Sequence, residues 1–438
     1  MIMKSFFESR KIAVIGASRD ERKVGNVIFR NLLESKNLKV FPVNPNADSV
    51  SGQKCFSSVL EIPYLIDMAL IVVKAEVVPS VLEECGKKEI KNVIIISAGF
   101  SEAGNMKLSE EVIKIAEKYK IKIIGPNVLG IINPYKNMNA SFFCCMPDKG
   151  NVGFISQSGA VGTSILDKTL ENHLGVSAFV SLGNMLQQDF INALDYFAND
   201  IHTEIIALYV ESLKPGTGKD FLDLCKRISK KKKIIALKAG KSEEGKEAAK
   251  THTASLSSDS KIYSGAFKQA GIIEADSIEE MFMLAEIFSK YGKLGKKACI
   301  ITNAGGLGVL ATDSLVKTGL EVVNVPEVVL KELDKFMPSG YSRRNPLDIL
   351  GDALAERYEK VLRILKMYEA ADFYVVIVSP QEMTQALETA KVLAKFGKPV
   401  FACYIGGKSF LEAKRFMKEE GIINFEDVSE LEILGKAA

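Results

Sequence analysis

Residues 11–18 read KIAVIGAS, a β-branched and apolar run that ends in a glycine turn. The segment GNVIFRNLLES at 25–35 then places apolar residues at helical spacing. This is the pattern of a strand, a tight turn and a helix. The strand pattern returns at LKVFPVNP (38–45), IDMALIVVK (66–74), NVIIISAGF (92–100) and IKIIGPNVLG (121–130). Strands that alternate with helices predict a doubly wound α/β fold, whose ligand lies beyond the carboxyl ends of parallel strands.

The first turn, Gly16-Ala17-Ser18-Arg19-Asp20, lacks the second glycine of a dinucleotide-binding fingerprint. The second strand ends in Val43-Asn44-Pro45, where that fingerprint needs an acid for the ribose. An NAD-dependent dehydrogenase is therefore disfavoured. The turn, with Ser18 and Lys23, still suits a phosphate or pyrophosphate. Turn formation explains Ser18 equally well, and a solvated lysine is the simpler interpretation of Lys23. Gly125-Pro126-Asn127 forms a further turn that could face the same crevice.

After an irregular segment at 138–150, two similar stretches indicate an internal duplication: NVGFISQSGAVGTSILDKTL at 151–170 and KACIITNAGGLGVLATDSLV at 297–316. In each, a strand breaks into a helix at small residues, Ser156-Gln157-Ser158-Gly159 and Thr302-Asn303-Ala304-Gly305-Gly306. Such turns leave backbone N–H groups at a positively polarised helix start, which suits phosphate. Ordinary helix capping explains either turn alone. Two copies together with a histidine favour a functional site.

His252 stands in the polar run Thr251-His252-Thr253-Ala254-Ser255, after the glycine- and charge-rich segment 240–250. A histidine on such a loop could act as a nucleophile that moves between partners, although a solvated loop histidine explains this stretch alone more simply. Glu211 is predicted to end the strand within 203–214, where it could orient an imidazole; an exposed strand-end glutamate is the alternative. The other two histidines are predicted to be structural: His173 and His202.

The composition excludes several classes of protein. The chain has 438 residues and a formal net charge of +3, which indicates an ordinary globular protein without a nucleic-acid partner. Its apolar runs are shorter than the ~20 residues that cross a bilayer, and its first residues do not read as a signal peptide, so we expect a cytoplasmic protein. The seven cysteines form no CxxC pair, which predicts neither a disulfide framework nor a metal site. Three domains are predicted, over 1–137, 138–292 and 293–438.

Several motifs, taken in order, resemble the α subunit of the NDP-forming acyl-CoA synthetases, in the archaeal ADP-forming acetyl-CoA synthetase group related to succinyl-CoA synthetase. They are KIAVIGASRDERKVG, VNPN, SAGFSE, GPNVLG, FISQSGAVG, YVES, THTASLS, NAGGLGVLATD and NPLDILGDA. The resemblance implies a Rossmann-like CoA-binding domain followed by two flavodoxin-like ligase domains. It also implies conversion of acyl-CoA, ADP and phosphate to free acid, CoA and ATP through an acyl phosphate and a phosphohistidine.

The resemblance also implies roles for the residues in these motifs. His252 would be the phosphorylated histidine and Glu211 the acid that steadies it. CoA would meet its phosphate-binding residues and its nucleotide or pantetheine neighbours at Gly16, Ala17, Ser18, Lys23, Asn44, Pro45, Pro126 and Asn127. Phosphate would lie at the two helix starts formed by Ser156, Gln157, Ser158, Gly159, Ala304, Gly305 and Gly306.

A partner is implied as well. The chain reads as lacking the ATP-grasp region of the family and a G-x-x-x-x-G-K-[ST] motif, so we expect a separate ATP-grasp β subunit, in an α2β2 assembly, that holds Mg²⁺ and ADP or ATP. The alternative is a non-catalytic, CoA-binding regulatory subunit of the same fold. The sequence leaves open which acyl group is used and whether the nucleotide is ADP or GDP.

Overall fold

The computed structural model describes residues 2–245 and 260–438, and it divides into two compact units, Met1–Met281 and Phe282–Ala438. The first unit contains two sheets and the second unit contains one large sheet. Each sheet is considered in turn.

The first sheet is built from short, mainly apolar strands with a helix after most of them. The strands are β1 (Lys11–Ile15), β2 (Lys39–Val43), β5 (Met68–Ile71), β6 (Asn92–Ile95) and β7 (Lys122–Ile124), with a small antiparallel hairpin of β3 (Ser49–Val50) and β4 (Gln53–Lys54). The helices are α1 (Ile2–Phe7), α2 (Val24–Leu33), α3 (Val78–Lys87) and α4 (Met106–Tyr119). The five large strands are parallel and lie in the order β2-β1-β5-β6-β7. Both faces of β1 are buried, which is why it reads as a continuous apolar run.

The second sheet has seven strands in the order β14-β13-β12-β10-β11-β8-β9. They are β8 (Gly130–Asn133), β9 (Met138–Ser141), β10 (Lys149–Ser156), β11 (Val176–Ser181), β12 (Ile205–Val210), β13 (Lys233–Lys238) and β14 (Ile273–Ala275). The helices in this part are α5 (Gly159–Glu171), α6 (Phe190–Asn199), α7 (Gly218–Ile228), α8 (Ser260–Ala270) and α9 (Ile278–Tyr291). The strands β10 to β14 are parallel, whereas β8 and β9 are antiparallel additions at the β11 edge.

The second unit repeats this architecture. Its strands are β15 (Lys297–Thr302), β16 (Glu321–Val322), β17 (Leu347–Asp348), β18 (Phe373–Val378), β19 (Val400–Tyr404) and β20 (Asn424–Phe425). Its helices are α10 (Gly305–Lys317), α11 (Glu327–Leu333), α12 (Ala355–Met367), α13 (Ala386–Ala394), α14 (Leu411–Glu419) and α15 (Ile433–Ala437). The order is β16-β15-β18-β19-β20, and β17 pairs with the carboxyl half of β15.

All three parallel sheets share one strand order. When the parallel strands of each sheet are numbered along the chain, with the two-residue β17 left out, every sheet reads 2-1-3-4-5. In this order the chain leaves strand 1 in one direction and strand 3 in the other, so a crevice opens between their carboxyl ends. The predicted α/β architecture is confirmed, and it places three equivalent crevices at β1/β5, β10/β12 and β15/β18.

One expectation about local structure is wrong. The segment 138–150 was expected to be irregular, but it contains β9, whose residues are all buried. Its polar side chains are accommodated because Ser141 donates to Asn139 Oδ1 at 2.6 Å and Asn139 Nδ2 donates to the Phe143 carbonyl at 3.2 Å. The predicted domain boundary between residues 137 and 138 lies between β8 and β9 of the second sheet. The domain limits themselves stay a prediction.

Apolar packing joins the two sheets of the first unit. A single buried cluster includes Ile12 and Val14 of β1 together with Ala178 and Val180 of β11. Helix α1 adds Phe7, whose ring stacks on that of Tyr196 at 4.6 Å between centroids. Burial of one such aromatic side chain contributes roughly 1.5–3 kcal/mol. Within the described residues, the helices are all too short or too polar to cross a membrane.

Candidate active site

The crevice of the first sheet begins at Gly16, directly after β1. Its backbone has φ +96°, and a Cβ there would lie 2.3 Å from the Val72 carbonyl oxygen. The following helix approaches as closely, because a Cβ on Gly25 would lie 2.1 Å from the Gly16 carbonyl oxygen. At position 16, only glycine accommodates both the positive φ angle and the close Val72 carbonyl. The turn therefore packs closely against the residue after β5 and against the first turn of α2.

Two amide side chains hold this turn open. Asn44 Nδ2 donates to the Ala17 carbonyl at 2.7 Å, and Asn26 Nδ2 donates to the Ser18 carbonyl at 2.7 Å. The C=O and N–H groups of a trans peptide point in opposite directions. The N–H groups of Ser18 and Arg19 therefore point away from these amides. Exposed Lys23 is the N-cap of α2, with extended backbone at φ −84° and ψ 141°. Turn N–H groups, a helix start and a lysine together suit an anionic phosphate.

The other predicted CoA-binding residues lie at the same edge of the sheet but farther along it. Pro45 is exposed just beyond β2, next to the turn. Buried Pro126 and half-buried Asn127 follow β7, three strands away from β1, which is about 14 Å at the usual strand spacing. Only an extended ligand could contact both ends of this row.

In the second sheet, the turn after β10 forms the start of α5. The Ser156 hydroxyl donates to the Ser158 carbonyl at 2.6 Å, and Ser158 Oγ accepts from the Val161 N–H at 3.3 Å. Ser156 is fully buried, whereas Ser158 and Gly159 are half-buried. The first N–H groups of α5 therefore start at the β10/β12 crevice, as predicted from the sequence.

Gln157 has a different environment from its neighbours. Its side-chain Oε1 accepts from the backbone N–H groups of Glu211 and Ser212, both at 2.9 Å. Its Nε2 donates to Ser212 Oγ at 3.1 Å, and only 6% of the residue is exposed. The Gln157 side chain thus joins the end of β10 to the end of β12.

Glu211 follows β12 and is 8% exposed, so it is not the solvated strand-end residue that the sequence left as an alternative. Its charge adds to burial in raising the pKa of Tyr209 to about 12. Its carbonyl accepts from Lys238 Nζ at 2.8 Å. Lys238 ends β13 and stands directly beside Val210 in the parallel register.

The second unit offers a comparable turn after β15. Ala304 is the N-cap of α10, and Gly305 and Gly306 form its first turn. A Cβ on Gly305 would lie 2.6 Å from Asp348 Oδ2, so the start of α10 lies close to the end of β17. Asn303 is 2% exposed and accepts from the Ser379 N–H at 2.8 Å, so it joins β15 to β18 much as Gln157 joins β10 to β12.

The structure therefore brings together one group of predicted residues, Ser156 to Gly159 with Glu211, at one crevice. The predicted CoA-binding residues lie along the edge of another sheet of the same unit, and Ala304 to Gly306 belong to the second unit. His252 lies outside the described residues. In the sequence it falls between β13, which ends at Lys238, and α8, which begins at Ser260. The roles of all these residues stay predictions.

Sequence reasoning missed Lys238, Ser212 and Tyr263 in this neighbourhood. Tyr263, on α8, accepts from the Leu213 N–H at 3.1 Å, and Lys238 Nζ lies 4.8 Å from the centroid of its ring. A lysine that ends an otherwise apolar strand was the available signal. Among the described residues, no cluster of three or more His, Cys, Asp or Glu side chains could hold a metal ion.

Comparison with known domain families divides the chain into three parts. Residues 10–134 match the CoA binding domain, residues 149–288 match the succinyl-CoA ligase like flavodoxin domain, and residues 298–436 match the ligase-CoA domain. The acetate–CoA ligase [ADP-forming] II subunit alpha of Pyrococcus furiosus is 41% identical over 431 residues, which cover 96% of this chain and 94% of that protein. The chain belongs to the α subunits of the ADP-forming acetate–CoA ligases. The resemblance stated from the motifs is confirmed.

Other members of the ADP-forming acetate–CoA ligases agree. The acetate–CoA ligase [ADP-forming] of Methanocaldococcus jannaschii is 45% identical over 422 residues, which cover 94% of this chain but 59% of that longer protein. Among solved structures, the dinucleotide-forming acetyl-coenzyme A synthetase 1 of Ca. Korarchaeum cryptofilum, in complex with phosphate and ADP, has a TM-score of 0.93 at 35% identity. That match covers 99% of this chain and 96% of the other. The predicted fold, a CoA-binding domain before two flavodoxin-like domains, is confirmed.

Proposed function

We propose that this chain is the α subunit of an ADP-forming acyl-CoA synthetase that acts on acetyl-CoA or a related acyl-CoA. Together with a partner it would convert acyl-CoA, ADP and phosphate to acid, CoA and ATP, with His252 as the phosphoryl carrier. One observation carries the proposal. Glu211 is buried beside the α5 start, and Lys238, which ends β13 and precedes His252 in the sequence, donates to the Glu211 carbonyl.

The reaction follows from these groups. A phosphate oxygen attacks the thioester carbonyl carbon, the C–S bond breaks, and CoA leaves as the thiolate, which is protonated. The acyl phosphate then transfers its phosphoryl group to Nε2 of His252, and the carboxylate leaves. An oxygen of the terminal ADP phosphate finally takes the phosphoryl group and forms ATP. Each transfer needs positioning and stabilisation of negative charge, which helix starts and backbone N–H groups provide.

CoA would use the first crevice. The phosphates would bind Lys23 and the Ser18 and Arg19 N–H groups of the turn that Gly16 begins, with Asn44 and Pro45 beside the nucleotide. The row that extends to Pro126 and Asn127 would then follow the pantetheine arm towards the second sheet. The close contact at Gly16 and the hydrogen bond from Asn44 Nδ2 to the Ala17 carbonyl support this assignment. Both shape a turn whose N–H groups would bind an anion.

The nucleotide belongs to the partner in this proposal. We infer a separate ATP-grasp β subunit that holds ADP and Mg²⁺, in an α2β2 assembly. The two Pyrococcus furiosus relatives are named as subunits alpha, which supports a second subunit. The cytoplasmic location expected from the sequence stays a prediction.

The deciding experiment labels the histidine. The chain and its β subunit are incubated with acetyl-CoA and radiolabelled phosphate, and acid-labile, base-stable label is measured. We expect label on the unchanged chain and, when ADP is added, its transfer to ATP; His252→Ala should abolish both, because the nucleophile is lost. His173→Ala is the matched control and should label normally. A labelled or ATP-forming His252→Ala chain contradicts the proposal. Tight CoA binding without label would favour the regulatory-subunit alternative.

A further inference from the structure

The backbone that carries Glu211 is held on both sides by buried side chains. On the amide side, Gln157 Oε1 accepts from the N–H groups of Glu211 and Ser212, each at 2.9 Å. On the carbonyl side, Lys238 Nζ donates to the Glu211 oxygen at 2.8 Å. One peptide segment is thus fixed from two neighbouring strands, β10 and β13. We call Gln157 and Lys238 the Glu211 clamp.

The lysine of this clamp is costly to bury. Lys238 is 3% exposed, and an ammonium group in such a place needs compensating partners. Its partners include the carbonyls of Glu211 and Ala239 and the face of the Tyr263 ring. The neighbouring β13 residues Ile235, Ala236 and Leu237 are buried and apolar, so a methionine would fill the same space at lower cost. This position therefore suits a lysine whose task is to hold a carbonyl.

Tyr263 connects the clamp to α8, the helix that follows His252 in the sequence. Its hydroxyl accepts from the Leu213 N–H at 3.1 Å, two residues after Glu211. Tyr263 is 8% exposed and lies one turn into α8. The strand end with Glu211 and the first turn of α8 are consequently tied to each other.

We propose that Gln157 and Lys238 are positioning residues that fix the Glu211 carboxylate for the phosphorylation of His252. The inference rests on the proposed function, and it assigns the Gln157 side chain to Glu211 rather than to phosphate. The clamp occupies the N–H groups of Glu211 and Ser212 and the Glu211 carbonyl, so it restricts rotation of the strand end about its φ and ψ angles. A fixed carboxylate orients an imidazole without reorganisation during transfer.

The test measures histidine phosphorylation in the full chain with its β subunit. Rapid-quench labelling from acetyl-CoA and radiolabelled phosphate is compared for the unchanged chain, Lys238→Met and Lys238→Arg. We expect Lys238→Met to slow labelling about 10- to 100-fold, with KM for acetyl-CoA within about twofold, since the loss of a supporting partner affects orientation rather than binding. Lys238→Arg should recover part of the rate because it still donates to the carbonyl.

Lys232→Met is the matched control. Lys232 also donates to two backbone carbonyls, those of Phe197 and Asp200, each at 2.7 Å, but it lies just before β13, at the opposite end of the sheet. Its loss should leave the labelling rate within about twofold. CoA release driven by arsenate, which attacks the thioester without using the histidine, should stay within about twofold in every variant.

A second comparison separates positioning from simple loss of structure. In a Glu211→Gln chain, Lys238→Met should change the labelling rate by less than about twofold, because the clamp acts through the missing carboxylate. Gln157→Met removes the hydrogen bonds to the Glu211 and Ser212 N–H groups, and it should likewise slow labelling only when Glu211 is present. This variant tests the inference if Lys238→Met does not fold. Undiminished labelling in both single variants, or an equal further loss in the Glu211→Gln chain, overturns the inference alone. No label on the unchanged chain overturns the proposed function with it.

Discussion

Gly16 shows how a single residue shapes the first crevice. Its N–H donates to the Val43 carbonyl at 2.9 Å, and its Cα faces the Val72 carbonyl so closely that a methyl group would lie 2.3 Å away. The ends of three adjacent strands, β1, β2 and β5, therefore meet at one position. The φ angle of +96° adds a second demand for glycine.

We expect Gly16→Ala to weaken both folding and CoA binding. The free energy of unfolding should fall by about 3 kcal/mol, because the alanine is strained and its Cβ pushes the Val72 carbonyl away. CoA affinity should fall at least about tenfold as the turn moves. Gly104→Ala is the control, since Gly104 has φ +78° but nothing within 4 Å of an added Cβ. Urea unfolding and calorimetric CoA titration measure both effects; equal losses in the two variants would contradict the account.

Individual site residues were predictable where a local pattern marked them. The Gly16 turn, the Ser158 cap and Glu211 each stand where a strand pattern ends. Lys238 was not predictable in the same way, because its role depends on β13 lying beside β12, with Val210 opposite Lys238. Neighbouring strands that are 28 residues apart in sequence become partners only through the strand order of the sheet.

At the scale of elements, the two duplicated strand-turn-helix units share a hydrogen-bonding device. In the second sheet and in the sheet of the second unit, strand 1 is followed by an amide residue, Gln157 or Asn303. Its side-chain oxygen accepts a hydrogen bond from an N–H at the end of strand 3. Asn303 also donates to Gln381 Oε1 at 3.1 Å. An amide side chain at this position therefore links the ends of strands 1 and 3 in both duplicated units. The similarity of the two sequences indicated the duplication but not this link.

Replacement of the second amide tests its contribution to stability. Asn303→Leu leaves the N–H of half-buried Ser379 without its acceptor, so we expect the free energy of unfolding of the second unit to fall by about 1–3 kcal/mol. Asn324→Leu, at an exposed position in the same unit, should change it by no more than about 0.5 kcal/mol. Urea denaturation followed by circular dichroism provides the measurement. A stable Asn303→Leu protein would show that the strand ends are held by other contacts.

The elements themselves were largely predictable from apolar runs, with exceptions at β8 and β9. β9 was missed because its buried residues include Asn139 and Ser141, which pair with each other instead of with water. β8 contributes to the second sheet although its sequence continues directly from the first. Strands whose burial depends on polar side chains that satisfy one another give no apolar pattern to read.

For the whole molecule, burial divides the seven cysteines into two groups. Five are buried, and Cys144 and Cys145 are exposed. Burial raises the pKa of Cys225, Cys299 and Cys403 to about 12. The hydrogen bond with Cys144 is the main cause that raises the pKa of Cys145 to about 11.

These differences in burial and pKa predict how many thiols react with a thiol reagent. Because the thiolate is the reacting form, raised pKa values and burial both slow the reaction at pH 8. An aromatic disulfide reagent should therefore modify two thiols of the folded chain, Cys145 after Cys144, and all seven after unfolding in guanidinium. A Cys144→Ser, Cys145→Ser chain should show none in the folded state. Rapid reaction of more than two thiols would contradict the described packing.

The common strand order has a consequence for how such a chain diversifies. Every crevice is lined from the carboxyl ends of strands 1 and 3, while the opposite ends carry connections such as the Lys231–Lys233 entry to β13. Changes that alter which acyl group is accepted can accumulate in loops of one crevice without disturbing the floor of another. The 2-1-3-4-5 order thus gives one chain three separate sites, and selection can change the loops of each site independently.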